Sequence, residues 1–304
     1  MVGFSIKHIM VCLLISVTSF SQSKLNSFLK PSDTLNTSRR NGVIITEATL
    51  GALTLVGLNQ LWYKDYPQSS FHTLNDNNEW LQMDKMGHVF TSYQLGSLGA
   101  NFLKWSGVSK KNQLLYGATL GFGFLTIVEI FDGFSEEWGF SWGDMISNAT
   151  GTGLYVGQEL LWKEQRITLK YSFHQTQYAS QRPDKLGEGF LEEFLKDYNG
   201  QTYWLSANLY SFFKGSKIPK WLNLAIGYGG DGMLSGHNET VDNLFITQNP
   251  KRQFYLSLDV DLSKIQTNSH ILRTLFDIFN RIKIPFPAVE FNEKNGIKLH
   301  PVYF

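Results

Sequence analysis

Cysteine is almost missing from this chain: Cys12 is the only one in 304 residues. It falls inside an apolar run, Ile9–Phe20, that follows Lys7 and His8. A basic start, an apolar run and the small-x-small site Ser19-Phe20-Ser21 read as a secretory signal. Removal of that signal leaves a mature chain with no thiol, which excludes disulfides, thiolate catalysis and cysteine metal ligands. Charge is scarce as well, at 17% of residues against about 25% in ordinary soluble domains. The 27 basic and 26 acidic side chains nearly cancel, so nothing argues for nucleic acid as a partner. No HExxH or P-loop motif occurs. A mean hydropathy of −0.17 excludes a chain that spans a membrane throughout; at most the first half could.

Aromatics are plentiful: 23 Phe, 13 Tyr and 8 Trp. Few charges with many aromatics suit a protein that meets a bilayer or its interface. After the signal (1–21), a Ser/Asn-rich stretch (22–41) reads as a flexible leader. Apolar runs then predict helices over Gly42–Tyr63, Asp84–Trp105, Gln113–Phe131 and Trp142–Trp162. Asp84 is expected to cap the second and Ser141 the fourth. Gly117, Gly121 and Gly123 in the third helix, and Gly151, Gly153 and Gly157 in the fourth, thin their faces for close packing. The pattern changes near residues 163–166. Ile167–Phe173, Tyr203–Phe213, Trp221–Gly229 and Arg252–Leu262 alternate as strands do, and Ile297–Phe304 reads as a last strand. Glu188–Asp197 and Ser269–Arg281 read as short amphipathic helices. The expected fold class is α+β: an N-terminal bundle of about four apolar helices over 42–165, followed by a smaller β-rich region over 166–304.

Three polar pairs interrupt these apolar helices at one-turn spacing. Asp84 and His88 lie four apart, Glu129 and Asp132 three apart, and Asp144 and Asn148 four apart. Each spacing puts its pair on one helix face. Buried carboxylates in apolar helices are costly unless they face one another, a cation or water. The economical reading is one interior polar cluster of Asp84, Lys85, His88, Glu129, Asp132, Asp144 and Asn148. Two readings of it stay open. In the first, the groups are helix caps and ion pairs, with Lys85 holding Glu129 or Asp144. In the second, Glu129, Asp132 and Asp144 ligate a divalent cation and His88 is the acid-base residue. Oxygen ligands with one nitrogen donor suit a hard cation better than zinc.

In order and spacing, Asp84-Lys85…His88, Glu129 and Asp144…Asn148…Gly151 resemble the YfiM-like "predicted periplasmic lipoproteins". The same skeleton is similar to that of VanZ-like membrane proteins. The resemblance covers roughly residues 40–165. It implies an envelope location and a helical architecture, and neither family brings a settled activity. In one respect the chain departs from the lipoprotein label. A lipoprotein carries its cysteine just after the apolar run, and Cys12 lies within it.

The expected location is the cell envelope: periplasmic, or at the inner surface of the outer membrane. The alternative, a multi-span inner-membrane protein, puts Arg39-Arg40, Lys110-Lys111 and Lys163/Arg166/Lys170 outside, against the positive-inside rule. Expected partners are a membrane or lipid surface and an envelope protein. Two functions fit these features. One is a membrane-associated envelope protein with a structural or binding role. The other is a metal-dependent hydrolase or transferase acting on an amphiphilic phosphate- or sugar-bearing substrate.

Overall fold

A computed structural model of the chain describes residues 23–64, 66–236, 240–241, 244–245, 249–294 and 296–303. The signal run, with Cys12 and the Ser19-Phe20-Ser21 site, lies outside the described residues. Helix α1 (Thr37–Leu58) starts where Asn36 Oδ1 accepts from the Arg39 amide, and it continues as a π turn over Asn59–Tyr63. A short parallel pair, β1 (Thr73–Leu74) with β2 (Phe140–Ser141), ties the loop after α1 to the start of a later helix. Helices α2 (Met83–Trp105), α3 (Leu120–Asp132) and α4 (Trp142–Leu161) follow. Besides a two-residue antiparallel pair (Thr240–Val241 with Leu244–Phe245), the rest of the chain supplies the six strands of one sheet: β3 (Ile167–Phe173), β4 (Gln201–Asn208), β5 (Leu222–Asp231), β6 (Lys251–Val260), β7 (Phe286–Asn292) and β8 (Gly296–Tyr303). A short helix, α5 (Phe190–Lys196), precedes β4, and α6 (His270–Phe279) precedes β7.

The class is α+β, but the expected four-helix N-terminal bundle does not form. Only α2, α3 and α4 pack as a group. Apolar residues run all round α1, so no single stripe can dock; Val43 is its one buried residue and Ile45 is 65% exposed. By length and composition, Thr37–Tyr63 and Lys110–Asp132 are long and apolar enough to cross a membrane. The C-terminal part is not a smaller appendage either. Its strands form one six-stranded antiparallel meander in the order β8-β7-β6-β5-β4-β3, and α2 lies on it. Phe90 of α2 packs against Tyr171 of β3 and Tyr203 of β4. The Gln94 side chain donates to Leu169 O at 2.5 Å, and Tyr93 OH to Ile167 O at 3.2 Å. Helix α2 is therefore buried from two sides, by helices on one and by strands on the other.

The sheet curls until its edges approach. Thr202 Oγ1 and Tyr303 OH are 3.0 Å apart, and residues 281–283 bridge to Tyr171 through two backbone hydrogen bonds of 3.0 Å. Inside the curl, Lys170 and Asp259 form a 2.7 Å ion pair with neither side chain exposed. Ser206 also donates to Asp259, at 2.6 Å, and Trp204 packs with Tyr255 and Tyr303. The segment expected as a flexible leader makes fixed contacts as well. Asn26 Oδ1 accepts from the amide of His270 at the start of α6, and Trp105 donates to Phe28 O.

Two glycines set how closely the helices approach. A Cβ on Gly121 would lie 2.3 Å from Ser92 O, and one on Gly151 would lie 2.2 Å from Val89 O. Both neighbours are backbone of α2, which cannot move aside without separating the helices. Gly123, Gly153 and Gly157 meet open space. Gly151→Ala is expected to destabilise by about 1–3 kcal/mol through forced separation. Gly153→Ala, on the same helix, should be neutral or stabilising by up to about 1 kcal/mol. Thermal unfolding of the two variants side by side checks the pair, and equal effects would contradict it.

Candidate functional site

The site begins with a strained turn. Trp80, Leu81 and Gln82 take successive φ values of 47°, 52° and 61°, a left-handed turn of the kind single non-glycine residues rarely enter. Neighbours hold it there. Tyr228 OH donates to Leu81 O at 2.5 Å, Arg252 donates to Gln82 Oε1 at 2.6 Å, and Gln82 donates to Asn77 O at 2.8 Å. Gln82, not Asp84, is the residue preceding α2, so the expected cap at Asp84 gives way to Asp84 in the first turn. Ser141 does cap α4, its hydroxyl accepting from the Asp144 amide.

Three helices then direct polar side chains to one point. Lys85 Nζ lies 2.7 Å from Asp76, 3.2 Å from Asp84 and 2.8 Å from Asp144. His88 Nδ1 is 3.0 Å from Asn148 Oδ1. An amide oxygen can only accept, so Nδ1 carries the proton and Nε2 faces the other way. There it meets three carboxylate oxygens, from Asp84 and Glu129 at 3.7 Å and from Asp144 at 3.8 Å. Glu129 is 1% exposed. Its Oε2 accepts from the Ser141 amide at 3.0 Å, while Oε1 has no hydrogen-bond partner. Asp144 Oδ1 is also unpartnered, lying near the Lys85 ammonium without an aligned hydrogen bond. Asp84, His88 and Asp144 each offer an atom within 4.8 Å of the others. Asp132 stands outside this group, with its Oδ1 accepting from Tyr63 OH at 2.7 Å.

Burial pushes Glu129 up to about 8, and it pushes Asp144 up to about 7, helped by the Asp84 charge. Burial likewise lifts Asp132 to about 7. On His88 burial works downward, but Asp84, Asp144 and Glu129 outweigh it and raise the ring above its ordinary 6.5. Lys85 is raised in the same way, by Asp84 and Asp144 against burial. Asp84 is lowered, because His88 and Lys85 overcome its own burial. The site thus has more carboxylates than cations to balance them.

A cleft of about 230 Å³ opens beside the cluster. Asp84, His88 and Tyr198 stand at its polar end, and Phe90, Leu125, Tyr171, Phe194 and Tyr203 wall the remainder. Of the seven residues expected in the cluster, the structure brings together Asp84, Lys85, His88, Glu129, Asp144 and Asn148 and leaves Asp132 with Tyr63. Two further contributors carry no signal of helical spacing. Asp76 arrives from a polar loop and accepts from Ser141 Oγ at 2.7 Å. Tyr198 comes from just before β4 and donates to Asp84 Oδ1 at 3.0 Å.

Residues 73–158 match the family described as "Predicted periplasmic lipoprotein (DUF2279)". The matched stretch runs from β1 through most of α4 and contains every cluster residue except Tyr198. The description agrees with the cell-envelope, periplasmic location expected from the N-terminal signal, and the family is one of unknown function. No curated protein and no solved structure matches the chain.

Two measurements follow from the electrostatics. In the metal-free chain Glu129 keeps its proton up to about pH 8, where an unfolded glutamate has long lost it. The folded state then binds more protons, so the contribution of Glu129 to stability is full below about pH 4.5 and is lost as pH rises toward 8. His88, raised above 6.5, acts in the same direction. The melting temperature in chelator should therefore fall between about pH 5 and pH 8, and Glu129→Gln should flatten that slope; a steady rise would contradict the assignment. Lys85→Met, which strands buried carboxylates, should cost about 3–5 kcal/mol. Lys110→Met, whose pair with Glu159 has a lysine side chain 52% exposed, should cost no more than about 1 kcal/mol. Chemical denaturation of both variants tests the contrast.

Proposed function

We propose that this envelope protein holds a divalent cation among Asp84, His88, Glu129 and Asp144, and uses it in hydrolysis or group transfer on an amphiphilic phosphate- or sugar-bearing substrate. The observation that supports this reading is the surroundings of His88 Nε2. A ring nitrogen and three carboxylate oxygens face one another, and two of those oxygens have no hydrogen-bond partner. Ligands on one cation with bonds of about 2.1–2.4 Å lie roughly 3.0–3.5 Å apart. The oxygens stand 3.7–3.8 Å from Nε2, and Asp84, His88 and Asp144 offer atoms within 4.8 Å of one another, so binding a cation would draw these three inward, with Glu129 closing from the far side of Nε2. Asn148 sets the tautomer from the far side of the ring, as partners of metal-bound histidines do. In this reading His88 serves as a ligand, and Asp132 stays with Tyr63. A cation so placed would polarise a headgroup oxygen at the polar end of the cleft. The aromatic walls would take the apolar part of the substrate.

A second reading is supported by Lys85. Its three ion pairs could hold the helices together with no cation present, which is a structural role. Elemental analysis separates the two. The cation reading expects about one equivalent of a divalent metal after dialysis, lost in Asp144→Ala while circular dichroism is unchanged. Manganese titration followed by electron paramagnetic resonance that shows no bound fraction in the wild-type chain would leave the structural network as the answer.

A further inference from the structure

The sheet is built the wrong way round for a protein surrounded by water. Register decides which side chains share a face. Lys170, Trp204, Gly227, Tyr255 and Glu290 are cross-strand neighbours on the inward side. Asn223, Ser257 and Asp259 point inward with them, each no more than 4% exposed. The matching outward row is Leu169, Leu205, Ile226, Leu256, Val289 and Leu299. Polar groups, including an ion pair, fill the inside, and aliphatic side chains face out.

Helix α2 covers the outward face only over β3 and β4. Beyond it, Ile226 is 56% exposed, Phe254 48%, Leu258 42% and Leu299 73%. Single exposed apolar residues are ordinary on a soluble protein, but a face continuous over four strands is not. Apolar outside and polar inside along every strand is the pattern of sheets that meet lipid.

Both ends of the face carry interfacial chemistry. One end is a register row of aromatics: Tyr171 and Tyr203 lie under α2, and beyond it the row continues on the open face with Tyr228, Phe254 and Phe291. At the other, the β4–β5 connection exposes Phe212, Phe213 and Trp221 beside the exposed Lys214, Lys217 and Lys220. Aromatic rings and lysines together suit the level of anionic headgroups. Between these ends lie six residues of strand, roughly 20 Å at about 3.3 Å each, close to the apolar band of about 25 Å on outer-membrane sheets. The face is also convex, so a rigid protein partner would cover only part of it, whereas lipid chains follow the bend.

We propose that the outward face of this sheet lies against the hydrocarbon of an envelope phospholipid bilayer, with the 209–221 connection at its anionic headgroups. This assignment is independent of the cation reading. The test uses the full chain with Cys12→Ser, reconstituted in phosphatidylcholine–phosphatidylglycerol vesicles. Nitroxides are placed at Ile226→Cys, Leu256→Cys and, as a control on the water side, Ser180→Cys. The expected result is a chain that stays with the vesicles through an alkaline carbonate wash. Labels at 226 and 256 should collide with oxygen and be shielded from a water-soluble nickel chelate, with the reverse at 180. Leu256→Arg should lose the carbonate-resistant fraction; if that variant fails to fold, the labelled cysteine variants decide alone. Nickel reaching 226 and 256 as freely as 180 would overturn the proposal by leaving the face in water. Shielding from oxygen and nickel alike would overturn it too, because a second copy or another protein would then be the cover.

Discussion

The ammonium of Lys85 allows several carboxylates to gather in a poorly solvated place. Asp76, Asp84 and Asp144 all lie within 3.2 Å of it, and away from water none of them could stay ionised beside the others without such a partner. Neighbouring structure serves this constraint. The left-handed turn at 80–82 joins the loop carrying Asp76 to the start of α2. Ser141 links Asp76, Glu129 and the α4 terminus through three hydrogen bonds. Tyr198 reaches Asp84 from the sheet side. What Lys85 does not satisfy, namely Glu129 Oε1 and the Nε2 side of His88, is the part of the site left available for a ligand.

Helix α2 carries both halves of the molecule. Small residues let α3 and α4 approach its backbone, and aromatics on its other side meet β3 and β4. One helix facing two partners explains why no separate bundle exists: its apolar residues are shared between the helices and the strands. The shared core also places the aromatic cleft beside the charged cluster, because Phe90 and Tyr203 pack together while His88 and Asp84 emerge one turn away.

Much of the cluster is legible in the amino-acid sequence. Carboxylates and a histidine at one-turn spacing in otherwise apolar helices are conspicuous, because local geometry alone gives them a common face. Asp76 and Tyr198 are not, since a loop residue and one 114 positions from its partner Asp84 have no periodicity to betray them. Strand β7 is hidden too, because Pro287 argues against a central strand. In the fold its ladder with β6 ends at Ser257–Ala288, so the proline needs no hydrogen bond there. The pairing with β8 is irregular at the same end. The turn at 80–82 gives no more warning, because Trp, Leu and Gln carry no preference for positive φ and are held in it partly by the distant Tyr228 and Arg252.

By itself, the amino-acid order determined the helical segments and the two-residue alternation of most strands. These follow from spacing between near neighbours. Tertiary structure decided how many helices would pack together, which distant side chains would complete the site, and which face of the sheet would turn inward. Alternation has the same period whichever face is buried. Nothing local distinguishes Leu256 facing a core from Leu256 facing outward. That choice rests on the curl that closes around Lys170 and Asp259, two residues 89 positions apart in the chain whose pairing exists only once the strands between them are in register.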